Sequence, residues 1–232
     1  MKRIGLLGGM SWQSTAEYYR LLNELAAERL GGLHSAECVL FSVDFADIER
    51  LQMEGRWDEA GQVLAEAAGA LERAGAQFLL LCTNTMHKVA DQVQAGIHIP
   101  LLHLADATAQ AVLAQNITRI GLLGTAFTME QDFYRGRLEQ HGLKVLTPDA
   151  PGRELVHKVI YEELCLGIVR EESREAYRQV IADLVAAGAE GVILGCTEIE
   201  LLIGQEDCPV PAFPTTRLHA EAAITFALAE DE

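Results

Sequence analysis

Two stretches of this chain open with nearly the same hexapeptide. Ile4-Gly5-Leu6-Leu7-Gly8-Gly9 matches Ile120-Gly121-Leu122-Leu123-Gly124-Thr125. Downstream of each, at nearly equal separation, an apolar run ends in a Cys-Thr pair. The first is Leu80-Leu81-Cys82-Thr83-Asn84-Thr85-Met86-His87, the second Leu194-Gly195-Cys196-Thr197-Glu198-Ile199-Glu200. One apolar-glycine match arises easily by chance, but two matched segments in the same order at matched spacing do not. The repeat predicts two similar α/β lobes related by a pseudo-twofold, with the active site in the cleft between them.

Strand-like and helix-like segments alternate within each copy. In the first, strands are expected at Ile4–Leu7, Cys38–Val43, Phe78–Cys82 and Pro100–Leu104. Helices are expected at Ser14–Leu30, Asp58–Ala74, Thr85–Val93 and Ala105–Gln115, with Gly31-Gly32 and Gly75 as stops. The second copy carries strands at Ile120–Leu123, Leu143–Leu146, Gly191–Leu194 and Val210–Phe213. Its helices are Glu130–His141, Glu154–Cys165, Arg174–Ala187 and Thr216–Ala229. Such alternation implies a small, mostly parallel sheet flanked by helices in each lobe. The expected division is 1–105 with 210–232 for the first lobe and 106–209 for the second. A hinge is expected near residues 98–118, and the last helix is expected to cross back onto the first lobe.

Composition removes several function classes. The 232 residues carry a net charge of −16, which disfavours nucleic acid and anionic membrane surfaces as partners. No apolar run reaches the length of a membrane span. Met1-Lys2-Arg3 leads into a strand rather than a signal peptide, so a cytoplasmic location is expected. The five cysteines are odd in number and widely spaced, unlike a disulfide framework, and none pairs at Cys-x-x-Cys spacing. No His or carboxylate cluster has metal-ligand spacing, so no metal is expected.

Open α/β sheets place their chemistry beyond the carboxyl ends of the strands. Gly8-Gly9-Met10-Ser11 and Gly124-Thr125 would offer backbone N–H groups to an anion there. The G-x-G-x-x-G spacing is missing, so a carboxylate is preferred to a nucleotide, with plain turn glycines the rival reading of each. Cys196 follows Gly195 at a strand end and leads into a helix-like stretch. Such a thiol is expected to have a lowered pKa and to act as a base. Cys38 and Cys208 read as small buried hydrophobes. Thr83-Asn84-Thr85 reads as a helix cap compatible with a functional role. His34, His87, His103 and His157 read as histidines without a special role.

At these residues the chain resembles the cofactor-independent aspartate/glutamate racemases. The resemblance spans essentially the whole length. It is carried by Gly5–Trp12, Ser42-Val43-Asp44-Phe45, Cys82–His87, Met129–Tyr134 and Gly195-Cys196-Thr197-Glu198. It is closest to the L-aspartate/L-glutamate-specific or broad-specificity members of enterobacterial type. The resemblance implies two α/β lobes, no pyridoxal phosphate, no metal, a small amino-acid substrate and a homodimer. It also implies a pair of thiols, one per lobe, facing the substrate Cα from opposite sides. The thiol of the second lobe takes the proton of the L-enantiomer.

The family pattern in the first lobe is Cys-Asn-Thr, and here Thr83 stands in the place of its thiol. Cys82 lies one residue earlier, and neighbouring strand residues point to opposite faces, so it is expected to face the core. A Thr hydroxyl can protonate a carbanion but is a poor general base. The catalytic pair implied is Cys196 and Thr83, with L-substrates preferred. Cys165 falls where aspartate racemases often carry a Lys, and Gln52 lies where some relatives use an Arg, which implies a broader substrate range. Substrate contacts are expected from Met10, Gln52, Asn84, Thr85, Thr125, Thr128, Thr197 and Glu198. Two other readings share the fold: a cleft-cysteine enzyme of hydantoin racemase, maleate isomerase or arylmalonate decarboxylase type, and a non-catalytic amino-acid binder.

Overall fold

The computed structural model describes residues 1–229. It divides into two compact units, Met1–Leu104 with the segment from His219 onward, and Ala105–Leu218. Both are α/β, and each is built on a four-stranded sheet whose ladders are all parallel.

In the first unit the chain runs β1 (Ile4–Gly8), α1 (Trp12–Leu30), β2 (Cys38–Ser42), α2 (Phe45–Met53), α3 (Trp57–Arg73), β3 (Phe78–Leu81), α4 (Ala90–Ala95) and β4 (Leu101–Leu102). The sheet order is β2-β1-β3-β4. The central strands β1 and β3 are buried at every residue, as their unbroken apolar sequence requires of strands covered on both faces. Side chains alternate between those faces. Leu79 and Leu81 of β3 pack with Leu64, Ala68 and Leu71 of α3. Phe78, Leu80 and Cys82 pack on the other side with Leu21, Leu22 and Leu25 of α1. That second core also takes Ala220, Ala223, Ile224 and Ala227 from α10 (Thr215–Leu228).

Helix α1 begins where the Ser11 hydroxyl accepts the Ser14 N–H at 3.3 Å and stops at Gly31, whose φ is +75°. The turn before it depends on two glycines. A Cβ on Gly8 would sit 2.3 Å from Thr15 Cγ2, and Gly9 has φ +95°. Its N–H donates to Thr15 Oγ1 at 2.8 Å, which ties the end of β1 to the first turn of α1.

The second unit follows α5 (Leu104–Ala114) with β5 (Arg119–Gly124), α6 (Ala126–Glu130), α7 (Asp132–Gln140), β6 (Lys144–Leu146), α8 (Ala150–Glu162), α9 (Glu171–Ala186), β7 (Gly191–Gly195) and β8 (Ala212–Pro214). Its sheet order, β6-β5-β7-β8, repeats that of the first unit. Val192 and Leu194 of β7 pack against Val156, Ile160, Tyr177 and Ile181 of α8 and α9.

Four details depart from the sequence expectations. Helix α2 was not anticipated; Asp44 caps it, accepting the Ala46 N–H at 3.0 Å, and Ile48, Leu51 and Gln52 form its buried face. The segment expected as one helix over Thr85–Val93 is a 3-10 turn, Thr85–Val89, followed by α4. The helix expected over Glu130–His141 is interrupted at Gln131, whose extended backbone (ψ 150°) separates α6 from α7. Helix α8 starts earlier than expected, because Asp149 caps it with Pro151 in its first turn. Among the described residues no helix is long and apolar enough to cross a membrane.

Candidate active site

The ladders show which residues of the two units correspond. Leu7 pairs with Leu81 in the first unit, and Leu123 pairs with Leu194 in the second. The repeat makes Leu7 and Leu123 equivalent, so Leu81 corresponds to Leu194. Two residues further along each strand stand Thr83 and Cys196. Cys82 corresponds to Gly195, not to Cys196.

In the first unit Cys82 continues the alternation of β3 into the α1-side core, where it is fully buried. Burial pushes its thiol far above the ordinary range. Its carbonyl accepts the Ser14 hydroxyl at 3.2 Å, which holds the β3 end against the first turn of α1. Thr83 is next, past the last ladder pair, and its N–H donates back to Leu81 O at 2.8 Å. Asn84, Thr85 and Met10 are also buried. Gln52 is buried on α2 and donates to the Met86 thioether at 2.8 Å.

In the second unit Thr125 caps α6, its Oγ1 accepting the Thr128 N–H at 3.3 Å, and the two hydroxyls stand 3.2 Å apart. The Ala126 N–H donates to His157 Nδ1 at 3.1 Å. The Ala126 and Thr128 N–H groups at the start of α6 thus have partners within the unit. His157 has a role that the sequence reading did not assign, and burial lowers its pKa. Thr197 Oγ1 accepts the Thr216 hydroxyl at 3.2 Å.

The Cys196 thiol donates to Glu198 Oε2 at 2.9 Å, with the carboxylate itself buried. The expectation of a lowered thiol pKa is overturned here. Burial, then the negative charge of Glu198, holds the Cys196 pKa well above its ordinary value. The helix expected to lower it is a five-residue 3-10 turn, Thr197–Leu201, too short to oppose burial and the Glu198 charge together. The Cys196 thiol thus rests protonated, with Glu198 as its hydrogen-bond acceptor. Cys165 packs against the same core, and burial followed by Glu198 pushes its thiol up to about 12. Glu198, expected among the substrate contacts, is the hydrogen-bond partner of the thiol. The Cys-Thr-Glu spacing was its only signal in the sequence.

His87 is a second residue that sequence reasoning undervalued. It is buried, not a bland histidine on an open helix face, and both of its ring nitrogens are engaged. Its i+4 spacing from Thr83 is the signal that could have found it.

A model of the Asp/Glu/hydantoin racemase family matches residues 7–223. The chain belongs to that family. This makes it an isomerase of the racemase type. A crystal structure of a Yersinia pestis protein described as a candidate Asp/Glu racemase superposes with a TM-score of 0.94 at 57% identity, covering 99% of this chain and 100% of that one. An aspartate racemase homologue from Pyrococcus horikoshii OT3 superposes with a TM-score of 0.87 at 35% identity, over 99% and 100% of the two chains. The broad-specificity amino-acid racemase RacX of Bacillus subtilis is 20% identical over 97% of this chain and 98% of its own length.

Proposed function

We propose that this chain is a cofactor-independent racemase of L-aspartate and L-glutamate, with some breadth toward other amino acids. Its two unlike groups, Cys196 and Thr83, serve opposite faces of one Cα. The observation that carries this reading is the ladder correspondence of a Thr hydroxyl with the Cys196 thiol.

The chemistry runs in five proton movements. The Cys196 S–H bond breaks and its proton passes to Glu198, leaving a thiolate and a carboxylic acid. The thiolate then takes the α-proton of the L-substrate. The C–H bond breaks, an S–H bond forms, and the electron pair delocalises into the substrate carboxylate. Thr83 delivers its hydroxyl proton to the opposite face, directly or through one water, and a solvent proton restores the hydroxyl. Glu198 finally returns its proton to solvent. The substrate carboxylates rest on Met10, Gln52, Asn84, Thr85, Thr125, Thr128 and Thr197 through hydroxyls, amides and backbone N–H groups.

The reverse direction would require Thr83 to act as a base, and an alcohol is almost never ionised near neutral pH. Exchange of the α-proton in D2O is therefore expected to be fast from L-aspartate and L-glutamate and much slower from the D-enantiomers. Equal rates from the two enantiomers would exclude the proposal. Binding by calorimetry without exchange would favour a non-catalytic amino-acid binder, and a chiral panel without added pyridoxal phosphate defines the substrate range. We take the working assembly to be a homodimer. Exposed apolar side chains on α1 and the edge strand β2, including Trp12, Tyr19 and Leu40, support this, and sedimentation velocity tests it.

A further inference from the structure

The proposed chemistry uses the Thr83 hydroxyl and leaves open what holds the Thr83 backbone in place. Its N–H is bonded to Leu81 O. Its carbonyl lies 2.7 Å from Nδ1 of His87, on the turn that follows β3. The opposite nitrogen, Nε2, accepts the Leu104 backbone N–H at 3.2 Å, at the first residue of α5. A carbonyl only accepts and a backbone N–H only donates, so the ring carries its hydrogen on Nδ1. The two partners select one tautomer and one ring orientation.

The ring is also hemmed in laterally. It meets His103 edge-on with centroids 4.6 Å apart, and His219 at 5.9 Å. His219 is itself fixed, with the Tyr18 hydroxyl 2.9 Å from its Nδ1 and the Leu102 carbonyl 2.9 Å from its Nε2. His87 therefore cannot turn without losing both bonds and pressing on a second immobilised ring. Through the Thr83 carbonyl it fixes the peptide from which the hydroxyl projects.

We propose that His87 is a positioning residue for Thr83. Its Nδ1–H bond to the Thr83 carbonyl sets the direction of the proton-donating hydroxyl, and its Nε2 bond to Leu104 keeps the ring in register. The inference rests on the reading of Thr83 as proton donor. It predicts a defect in inversion alone. Removal of the α-proton by Cys196 and its return to the same face need nothing from Thr83, whereas formation of the D-product does.

The test compares inversion with retained-configuration exchange for L-aspartate in D2O. In His87→Gln the side chain reaches the Nε2 position but leaves the Thr83 carbonyl without its donor. In His87→Asn an amide nitrogen stands near the Nδ1 position and keeps that donor. The inversion-to-exchange ratio should fall about a hundredfold in His87→Gln, the scale of a small misplacement of a reacting group, and stay near wild type in His87→Asn. An unchanged ratio in His87→Gln, or an equal fall in both variants, overturns the inference. Absence of any exchange by the wild-type protein sinks the racemase reading instead. The placement is then decided without turnover, by long-range 1H–15N spectra of wild-type His87 and the Thr83 carbonyl 13C shift. A proton on Nδ1, with a shift that moves in His87→Gln and not in His87→Asn, supports it. A proton on Nε2, or an unmoved shift, refutes it.

Discussion

Cys196→Ala is expected to abolish α-proton exchange from L-aspartate, with a loss of at least about a thousandfold, in the range of a missing general base. Fold and substrate binding should survive, because the side chain is small and its only polar bond among those described above is to Glu198. Thr83→Cys should act in the opposite sense. It places a thiol at the position that the ladders make equivalent to Cys196, and exchange from D-aspartate should rise by about tenfold or more. Glu198→Gln completes the set. The Cys196 thiol then has no carboxylate to receive its proton, so activity on L-substrates falls at neutral pH and recovers as alkali ionises the thiol directly. Steady-state assays from both enantiomers across pH measure all three. Unchanged D-side exchange in Thr83→Cys would show that position 83 does not face the substrate, and full activity in Cys196→Ala would remove the thiol from the mechanism.

Stability should fall as the solution is acidified from neutrality, and His219 should account for a large part of the loss. The imidazole is fully buried among Tyr18, Leu102 and His87. Burial lowers its pKa from 6.5 to about 4, against a smaller opposing effect of the Leu102 carbonyl. The folded state therefore keeps the ring neutral where the unfolded chain already binds a proton. Its contribution is intact above pH 6.5, is lost progressively as pH falls toward 4, and levels off below that. The shift corresponds to about 3 kcal/mol over this window. His219→Gln has no proton to take up and should flatten the pH dependence of urea unfolding by about that amount. A wild-type slope retained in the variant would refute the assignment. His157, lowered in the same direction by burial, adds a slope common to both proteins and cancels in the comparison.

Much of the architecture was legible because buried parallel strands leave a plain mark in sequence. Phe78–Leu81 and Gly191–Gly195 are covered on both faces, so they are apolar at every position and end abruptly in polar residues. Glycines at close approaches, such as Gly8 against Thr15, punctuate the same places in both repeats. Helix α2 escaped notice because it is nine residues long with only a narrow apolar face. The break between α6 and α7 escaped because one extended residue, Gln131, has no composition of its own.

The sequence by itself determined two repeated α/β units, the strand ends where side chains gather, and the family pattern in which Thr83 takes the place of a thiol. These follow from periodicity and local chemistry, which survive in the linear order of residues. The tertiary structure alone decided three other things. Strand pairing gave the register by which Thr83, and not Cys82, is the counterpart of Cys196 in the other repeat. Burial beside Glu198 raised the Cys196 pKa, where local helix chemistry had argued for a lowered one. Packing brought the Leu104 N–H, 17 residues along the chain, onto the far side of the His87 ring that holds the Thr83 carbonyl. The physical reason is common to all three. Register, desolvation and long-range hydrogen bonding depend on which surfaces meet, and that is settled only when the chain has folded.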